Sequence, residues 1–216
     1  MTQTATDRLY AMARLLALVT IGYNVVEGLV SVGFGAADET LALFGFGIDS
    51  FVEVISGVGV WHMLRRVRGN DGVTRDEFER SALRITGGAF FLLAAGLAAT
   101  STLALLEQHR PESTFWGMVV SLVSIAGMGL LIRAKVRVGT ALASPAILAD
   151  AACSRACLYL SIVLLASSAG YRLTGIGGLD ALGALGIGWF AFREGREAFA
   201  KARGLSCGCG SSCCGG

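Results

Sequence analysis

The chain alternates long apolar stretches with short polar connections from one end to the other. Each stretch is close to the ~20 residues that an α-helix needs to cross the hydrocarbon core of a bilayer. The polar–apolar alternation typical of membrane β-strands does not recur. The pattern predicts an all-α integral membrane protein, a six-transmembrane-helix bundle, with spans at residues 10–33, 41–64, 82–106, 115–138, 145–169 and 179–200.

The composition agrees with this class of protein. Of the 216 residues 54% are hydrophobic and only 16% are charged, and a chain of this length is expected to form one main domain. Thirty glycines against two prolines favour closely packed membrane helices, because small residues let helix backbones approach each other. The formal net charge is only +2, and no basic patch carries interleaved aromatic residues, so nucleic acid is not an expected partner.

Basic residues are concentrated in alternate connections. One set of connections and span ends carries Arg8, Arg14, Arg65, Arg66, Arg68, Arg75, Arg80, Arg84, Arg133, Lys135, Arg137, Arg193, Arg196, Lys201 and Arg203, whereas the opposite set carries only Arg110 and Arg172. Cytoplasmic loops of membrane proteins are enriched in Lys and Arg. The imbalance predicts that both termini lie in the cytoplasm of a bacterial-type inner or plasma membrane.

Two acids lie in the middle of the second apolar stretch. Asp49 and Glu53 are one helical turn apart and share a helix face. An acid at a helix centre costs ~2.5–3.5 kcal/mol on the insertion scale, and intramembrane acids usually serve a function. The pair is therefore a candidate metal site, and the alternative is a protonated pair that hydrogen-bonds to a neighbouring helix.

Two cysteines lie one turn apart in the fifth stretch. Cys153 and Cys157 can supply two thiolates to the same ion as the acids if the two helices pack together near the bilayer midplane. Considered alone, they are better explained as small buried hydrophobic residues. Asp150 favours the metal interpretation, because it lies with both cysteines within a ~60° stripe of the helix. Arg155 points to the opposite side of that helix.

Two other polar positions are weaker candidates. Glu27 and Asn24 share a face of the first span, where a supporting or proton-carrying role and a structural hydrogen-bonding role are both open. His62 lies about half a helical rotation from Glu53, beside Trp61, and is interpreted as an interfacial residue rather than a ligand.

These motifs resemble those of the cation diffusion facilitator (cation efflux) family of transporters. GIDSFVEV is similar to the family's second-helix A-D-x-x-x-D pair, and SPAILADAACSRAC is similar to its fifth-helix S-P-A-L-x-A-D-x-x-H-x-x-x-D. The last span, GGLDALGALGIGWFAFREGREAF, also resembles the family's sixth helix. The resemblance implies a metal site at Asp49, Glu53, Cys153 and Cys157, with Cys153 at the histidine position and Cys157 at the second aspartate position.

Three departures from that family pattern change the expectations. Glu53 stands where the family has Asp, and the cysteines stand where it has His and Asp. The family's cytoplasmic metal-binding domain is replaced by the tail GLSCGCGSSCCGG. The resemblance still implies a homodimer, although the missing domain commonly contributes to dimerisation.

The expected domains are a six-helix transmembrane domain over residues 1–204 and a flexible cytoplasmic tail over residues 205–216. Gly and Ser make the tail flexible, and its clustered thiols can form a second site for soft metals. The alternative is a disordered end whose cysteines have no role. The tail cysteines are Cys207, Cys209, Cys213 and Cys214.

Thiolates combined with carboxylates suit Zn²⁺ first, and Cd²⁺, Hg²⁺ or Pb²⁺ as alternatives. Because metal ligands must lose their protons, the ligand chemistry predicts a transporter that exchanges metal for protons by alternating access. The family resemblance implies that the direction of metal transport is export from the cytoplasm. No catalytic residues and no resident cofactor are expected, and the metal is cargo. The alternatives are a membrane metal sensor that does not transport and an intramembrane thiol oxidoreductase that uses Cys153 and Cys157.

Overall fold

A computed structural model describes residues 3–37, 41–69, 75–106, 115–174 and 179–204. These residues form six α-helices and no strand, which confirms the predicted all-α class. Every predicted span lies within one of the helices. They are α1 (Gln3–Ala37), α2 (Leu41–Gly69), α3 (Arg75–Leu106), α4 (Phe115–Ala141), α5 (Pro145–Thr174) and α6 (Leu179–Ala202).

Several helices continue beyond their apolar spans into charged sequence. α2 extends to Gly69, and the guanidinium of Arg65 lies 4.9 Å from the ring centre of Trp61. Arg side chains can lay their aliphatic stems along an apolar surface while the charged group stays in water, so a helix need not end where the apolar run ends. The predicted spans are therefore shorter than the helices that contain them.

Five of the six described helices are long and apolar enough to cross a membrane. In α6, every 18-residue window of Leu179–Ala202 contains Arg193, Glu194 and Arg196, so no stretch of that length is largely free of charge. α6 is nevertheless 24 residues long and packs against α3 and α5. It completes the bundle as a helix with one charged end.

The bundle is polar inside and apolar outside. Many large apolar side chains are exposed, including Leu15, Leu29, Leu122 and Leu130 at 57–68% exposure. The buried positions include four acids, one lysine and many hydroxyl groups from five of the helices. An outer surface rich in large apolar side chains is stable only against lipid. The polar interior is where intramembrane chemistry is expected.

Close helix contacts depend on glycine at one notable position. A Cβ added to Gly47 of α2 would lie 2.8 Å from the backbone nitrogen of Val32 on α1. The two backbones therefore approach more closely than any larger residue allows. Close to this contact the polar faces of α1 and α2 meet, where Ser50 donates a hydrogen bond to Glu27.

A tight turn fixes the pairing of α4 with α5. Leu142 donates its backbone N–H to the Val138 carbonyl, and Ala143 adopts a left-handed conformation with φ of 47°. Ser144 then caps α5 by accepting a hydrogen bond from the Ile147 N–H at 3.5 Å, and Pro145 is the first helical residue. Because the turn is so short, α4 and α5 are antiparallel neighbours.

Candidate metal centre between α2 and α5

The four predicted ligands lie inside the bundle on two helices that contact each other. Asp49 and Glu53 of α2 and Cys153 and Cys157 of α5 are each at most 2% exposed. Both cysteines are free thiols. Each pair lies on one face of its helix because its members are separated by one turn, as the sequence predicts.

The pairs from α2 and α5 are directed at each other. The Cys157 thiol lies within hydrogen-bonding reach of the Asp49 carboxyl group. Cys153 interacts electrostatically with both Glu53 and Asp49. The structure thus brings the two acids and the two thiols into one buried cluster, surrounded by apolar residues such as Phe46 and Leu160.

In this conformation no three Asp, Glu, Cys or His side chains among the described residues are arranged to hold a single metal ion. Glu53 is held through one oxygen: its Oε1 accepts a hydrogen bond from Ser154 and lies 3.5 Å from Lys135 Nζ.

Two carboxylate oxygens are unused within the described structure. Asp49 Oδ2 and Glu53 Oε2 are buried and have no hydrogen-bond partner there. A buried polar atom without a partner costs about 1–3 kcal/mol, so such atoms call for an explanation. An oxygen with free lone pairs inside a polar cavity is a suitable ligand for a cation.

Lys135 is the main residue that the sequence analysis misplaced. It was counted among the basic residues of a cytoplasmic connection, but it is 2% exposed in the interior of the bundle. Its Nζ lies 2.8 Å from Asp150 Oδ2 and donates a hydrogen bond to Ser154 Oγ at 2.7 Å. A buried ammonium group requires such partners, and here they come from α5.

A signal for this position was present in the sequence. Arg133 and Arg137 flank Lys135 at a separation of two, and both are exposed. Since two residues correspond to about 200° of helix rotation, Lys135 lies on the face opposite to both arginines. It is also nearly as far before Ala143 in the chain as Asp150 is after it, and an antiparallel helix hairpin places such residues side by side.

Asp150 has no free carboxylate oxygen, because protein groups engage both of them. It therefore supports the cluster rather than offering a ligand. Its Oδ2 pairs with Lys135, and its Oδ1 accepts a hydrogen bond from Ser56 at 2.7 Å. Ser56 and Thr86 also share a hydrogen bond of 3.0 Å, which extends the polar contact to α3. The hydroxyl groups were not singled out from sequence, since Ser and Thr are common throughout these helices.

Glu27 and Asn24 lie on α1 beside the cluster. Glu27 Oε1 accepts a hydrogen bond from Tyr23 and Oε2 accepts one from Ser50, each at 3.0 Å. Ser50 follows Asp49 in the chain, so this group adjoins the α2 acids. Asn24 donates to the Thr20 carbonyl at 3.0 Å, and its Oδ1 has no partner in the described part of the chain.

The remaining predicted positions lie away from the cluster. His62 is exposed, in agreement with its interpretation as an interfacial residue. Arg155 is half-buried and interacts electrostatically with Glu194 of α6 rather than with the cluster. The tail thiols at 207, 209, 213 and 214 lie outside the described residues.

Two comparisons with known proteins bear on this arrangement. The sequence profile of the cation efflux transmembrane domain matches residues 15–204, a range that reaches into all six helices. No curated protein matches the chain at a significant level of similarity. The matched family consists of transporters of metal cations, and its domain is a helical membrane bundle.

Proposed function

We propose, from the premise that the chain belongs to the cation efflux family, that it exports a divalent thiophilic metal ion in exchange for protons. Zn²⁺ is the first choice of cargo, with Cd²⁺, Hg²⁺ or Pb²⁺ as alternatives. The ion would bind at Asp49, Glu53, Cys153 and Cys157, and the site would open alternately to the two sides of the membrane.

The observation that supports this proposal is the meeting of two carboxylates and two thiols at the α2–α5 contact. Asp49 and Glu53 each retain an unused buried oxygen, and the Cys157 thiol reaches Asp49. Sulfur donors favour Zn²⁺ and softer ions over Mg²⁺, Ca²⁺ and Mn²⁺, which prefer oxygen-only sites. A site with two donors of each kind therefore favours ions at the soft end of the divalent series.

Loading the site requires a local rearrangement. Glu53 can offer its unpartnered Oε2 to the ion, and rotation of this side chain away from Ser154 and Lys135 would free Oε1 as well. This rotation is the conformational event that would distinguish the loaded from the empty transporter. Asp49 can likewise bind the ion through Oδ2, which has no partner among the described residues.

Proton exchange follows from the ligand chemistry. Cysteine binds a metal as the thiolate, so two thiol protons leave when Cys153 and Cys157 coordinate the ion. Release of the metal on the other side allows the thiols to take up protons from that side. Two positive charges then cross in each direction, so the net charge of the site is the same whether it holds the ion or the two protons.

The proposal includes the topology and the oligomer expected from sequence. Both termini lie in the cytoplasm, residues 205–216 form a flexible metal-capturing tail, and the protein is a homodimer. A membrane-impermeant thiol reagent should label the tail cysteines only in inside-out vesicles. Labelling in right-side-out vesicles would place the tail on the opposite side.

Flux into proteoliposomes with an imposed pH gradient tests the function directly. The wild-type protein should move Zn²⁺ or Cd²⁺ and carry protons the other way, and Asp49→Ala and Cys153→Ala should each abolish flux while still inserting. His62→Ala, at an exposed position, is the matched control and should retain flux. Unchanged flux in the Asp49 variant would refute the site, and binding without any flux would identify a sensor.

The thiol oxidoreductase alternative has a separate test. A protein in which Cys153→Ser and Cys157→Ser leave metal transport intact but abolish electron transfer would support that alternative. Loss of metal transport in the same double variant would support the transporter.

A further inference from the structure

We infer that Lys135 is a built-in cation that competes with the transported ion for Glu53. In the empty site its ammonium group contacts Glu53, and in the loaded site it pairs with Asp150 alone. The inference rests on the proposed function, and it concerns how tightly the site holds its cargo.

The two acidic partners of Lys135 differ in how firmly they are held. Lys135 Nζ lies 2.8 Å from Asp150 Oδ2 but 3.5 Å from Glu53 Oε1. Both oxygens of Asp150 are engaged, one by Lys135 and the other by Ser56. Glu53 has one engaged and one unpartnered oxygen. Asp150 is therefore the anchor of the lysine, and Glu53 is the partner that can leave.

Ser154 couples the two contacts. Its hydroxyl accepts a hydrogen bond from Lys135 Nζ at 2.7 Å and donates one to Glu53 Oε1. When Glu53 turns to an ion, Ser154 can redirect its proton to the Asp150 backbone carbonyl, which already lies 3.4 Å away. The lysine keeps the Ser154 oxygen and Asp150, so no buried charge loses its last partner.

Charge makes the competition effective. A divalent ion at Glu53 and an ammonium group at the same carboxylate repel each other strongly in a buried site. The ion must therefore displace the lysine from Glu53, and the nearby positive charge weakens its binding and favours its release. A transporter benefits from this, because a cargo that binds too tightly leaves slowly.

The test measures equilibrium Cd²⁺ affinity in the full-length protein whose four tail cysteines are changed to Ser. The thiolate-to-Cd²⁺ absorption band in the ultraviolet then reports binding at Cys153 and Cys157 only. Lys135→Met should tighten Cd²⁺ binding by about tenfold or more and lower the maximal flux. Lys135→Arg retains the charge and should stay close to the wild-type affinity.

A second variant covers the case in which Lys135→Met alone fails to fold. Lys135→Met combined with Asp150→Asn removes both charges of the anchoring pair, and it should bind Cd²⁺ more tightly than Asp150→Asn alone, in which the lysine has only Glu53 as its anionic partner. In a Glu53→Gln background, Lys135→Met should have little effect on affinity, because the shared ligand is absent.

The outcomes separate this inference from the proposed function. Equal or weaker Cd²⁺ binding in the Lys135→Met/Asp150→Asn protein than in the Asp150→Asn protein would show that the lysine is only structural, and would leave the metal site intact. Absence of Cd²⁺ binding in the wild-type protein would overturn both. Damage to the fold weakens binding, so a gain in affinity is a result that a merely structural role does not produce.

A second, independent observation concerns the outer face of α3 and α6. Four arginines line a cavity of about 950 Å³, and its one acidic lining residue, Glu197, pairs with Lys201 at 2.6 Å. The arginines are Arg84, Arg193, Arg196 and Arg203. Phe91 lines this cavity and also a neighbouring apolar groove of about 580 Å³ formed by Ala94, Ala98, Leu185, Gly188 and Trp189.

The geometry points to a binding site for an anionic phospholipid. A cluster of guanidinium groups can hold the phosphate headgroup, and the groove of small and aromatic side chains next to it can hold an acyl chain. The headgroup end is the one that the distribution of basic residues assigns to the cytoplasm, where anionic lipids are concentrated.

Fluorescence of Trp189, which is 65% exposed in the groove, tests this site. In a Trp61→Phe/Trp116→Phe protein, vesicles of brominated phosphatidylglycerol should quench Trp189 more than brominated phosphatidylcholine. Arg193→Gln/Arg196→Gln should remove that preference, whereas Arg133→Gln/Arg137→Gln on exposed positions of α4 should retain it. Equal quenching by both lipids, or protection of Trp189 by a second copy in a dimer, would overturn the lipid site.

Discussion

Glu27 on α1 and Glu53 on α2 are both buried acids, but their neighbours differ in charge. Glu27 is surrounded by neutral donors, with one hydroxyl on each oxygen, from Tyr23 and Ser50. Glu53 has an ammonium group and a hydroxyl at one oxygen and no partner at the other in the described structure. The first arrangement is complete as it stands, and the second can accept a cation.

The difference suggests a division of roles. Because hydroxyl groups engage both oxygens of Glu27, moving this side chain would break two hydrogen bonds. Glu27 therefore stabilises the α1–α2 contact near Gly47. A carboxylate that shares one oxygen between Lys135 and Ser154 and leaves the other free can change partners at small cost. The α2–α5 region is thus expected to bind the ion, and the α1–α2 region to hold its shape.

The largest expected effect is loss of the α2 carboxylates. Asp49→Asn and Glu53→Gln should each weaken Cd²⁺ binding by more than the roughly 10–100-fold that loss of an outer-shell partner costs, because each removes an anionic ligand. Equilibrium binding to the purified protein measures this. Near wild-type affinity in the Glu53 variant would assign Glu53 to the Lys135 pair alone.

Next in size is a change of metal preference at α5. Replacing Cys153 with His and Cys157 with Asp gives the pattern typical of the family that this sequence resembles. The ratio of Cd²⁺ to Zn²⁺ affinity should fall by about tenfold, since thiolates favour the softer ion and the new ligands do not. Competition between the two ions in the flux assay reports the ratio, and an unchanged preference would indicate that the thiols do not contact the cargo.

The helices and the burial of the two i, i+4 pairs could be predicted because each leaves a local signal. A span must be apolar for about 20 residues, and acids in such a span are costly, so Asp49 and Glu53 stand out from their surroundings. The i, i+4 spacing of Cys153 and Cys157 places both cysteines on the same face of their helix. These signals do not depend on how the helices pack.

Lys135 and its partners could not be placed by the same reasoning. A lysine three residues from the end of a predicted span is usually interfacial, and only the short α4–α5 turn brings it to Asp150. The orientation of Glu53 toward Ser154 likewise depends on contacts between residues about a hundred positions apart in sequence. Those contacts are properties of the packed bundle, which a single sequence does not display.

A smaller effect is expected at Glu27. Glu27→Gln keeps the size of the side chain, and the Tyr23 and Ser50 hydroxyls can rotate to suit an amide. Cd²⁺ affinity should therefore change by about tenfold or less. A loss as large as that of Glu53→Gln would make Glu27 a ligand. A shift in the pH dependence of flux without a change in affinity would assign it to the proton path.

The smallest expected effect is that of the tail. Removing residues 205–216 should raise the metal concentration needed for half-maximal flux by about two- to threefold, because tethered thiols raise the local concentration of metal near the pore. The maximal rate should stay the same, since the α2–α5 site is unchanged. A full-length protein with Ser at the four tail cysteines is the matched control and should behave like the truncation. A fall in maximal rate with unchanged half-saturation would instead place the tail in the transport step itself.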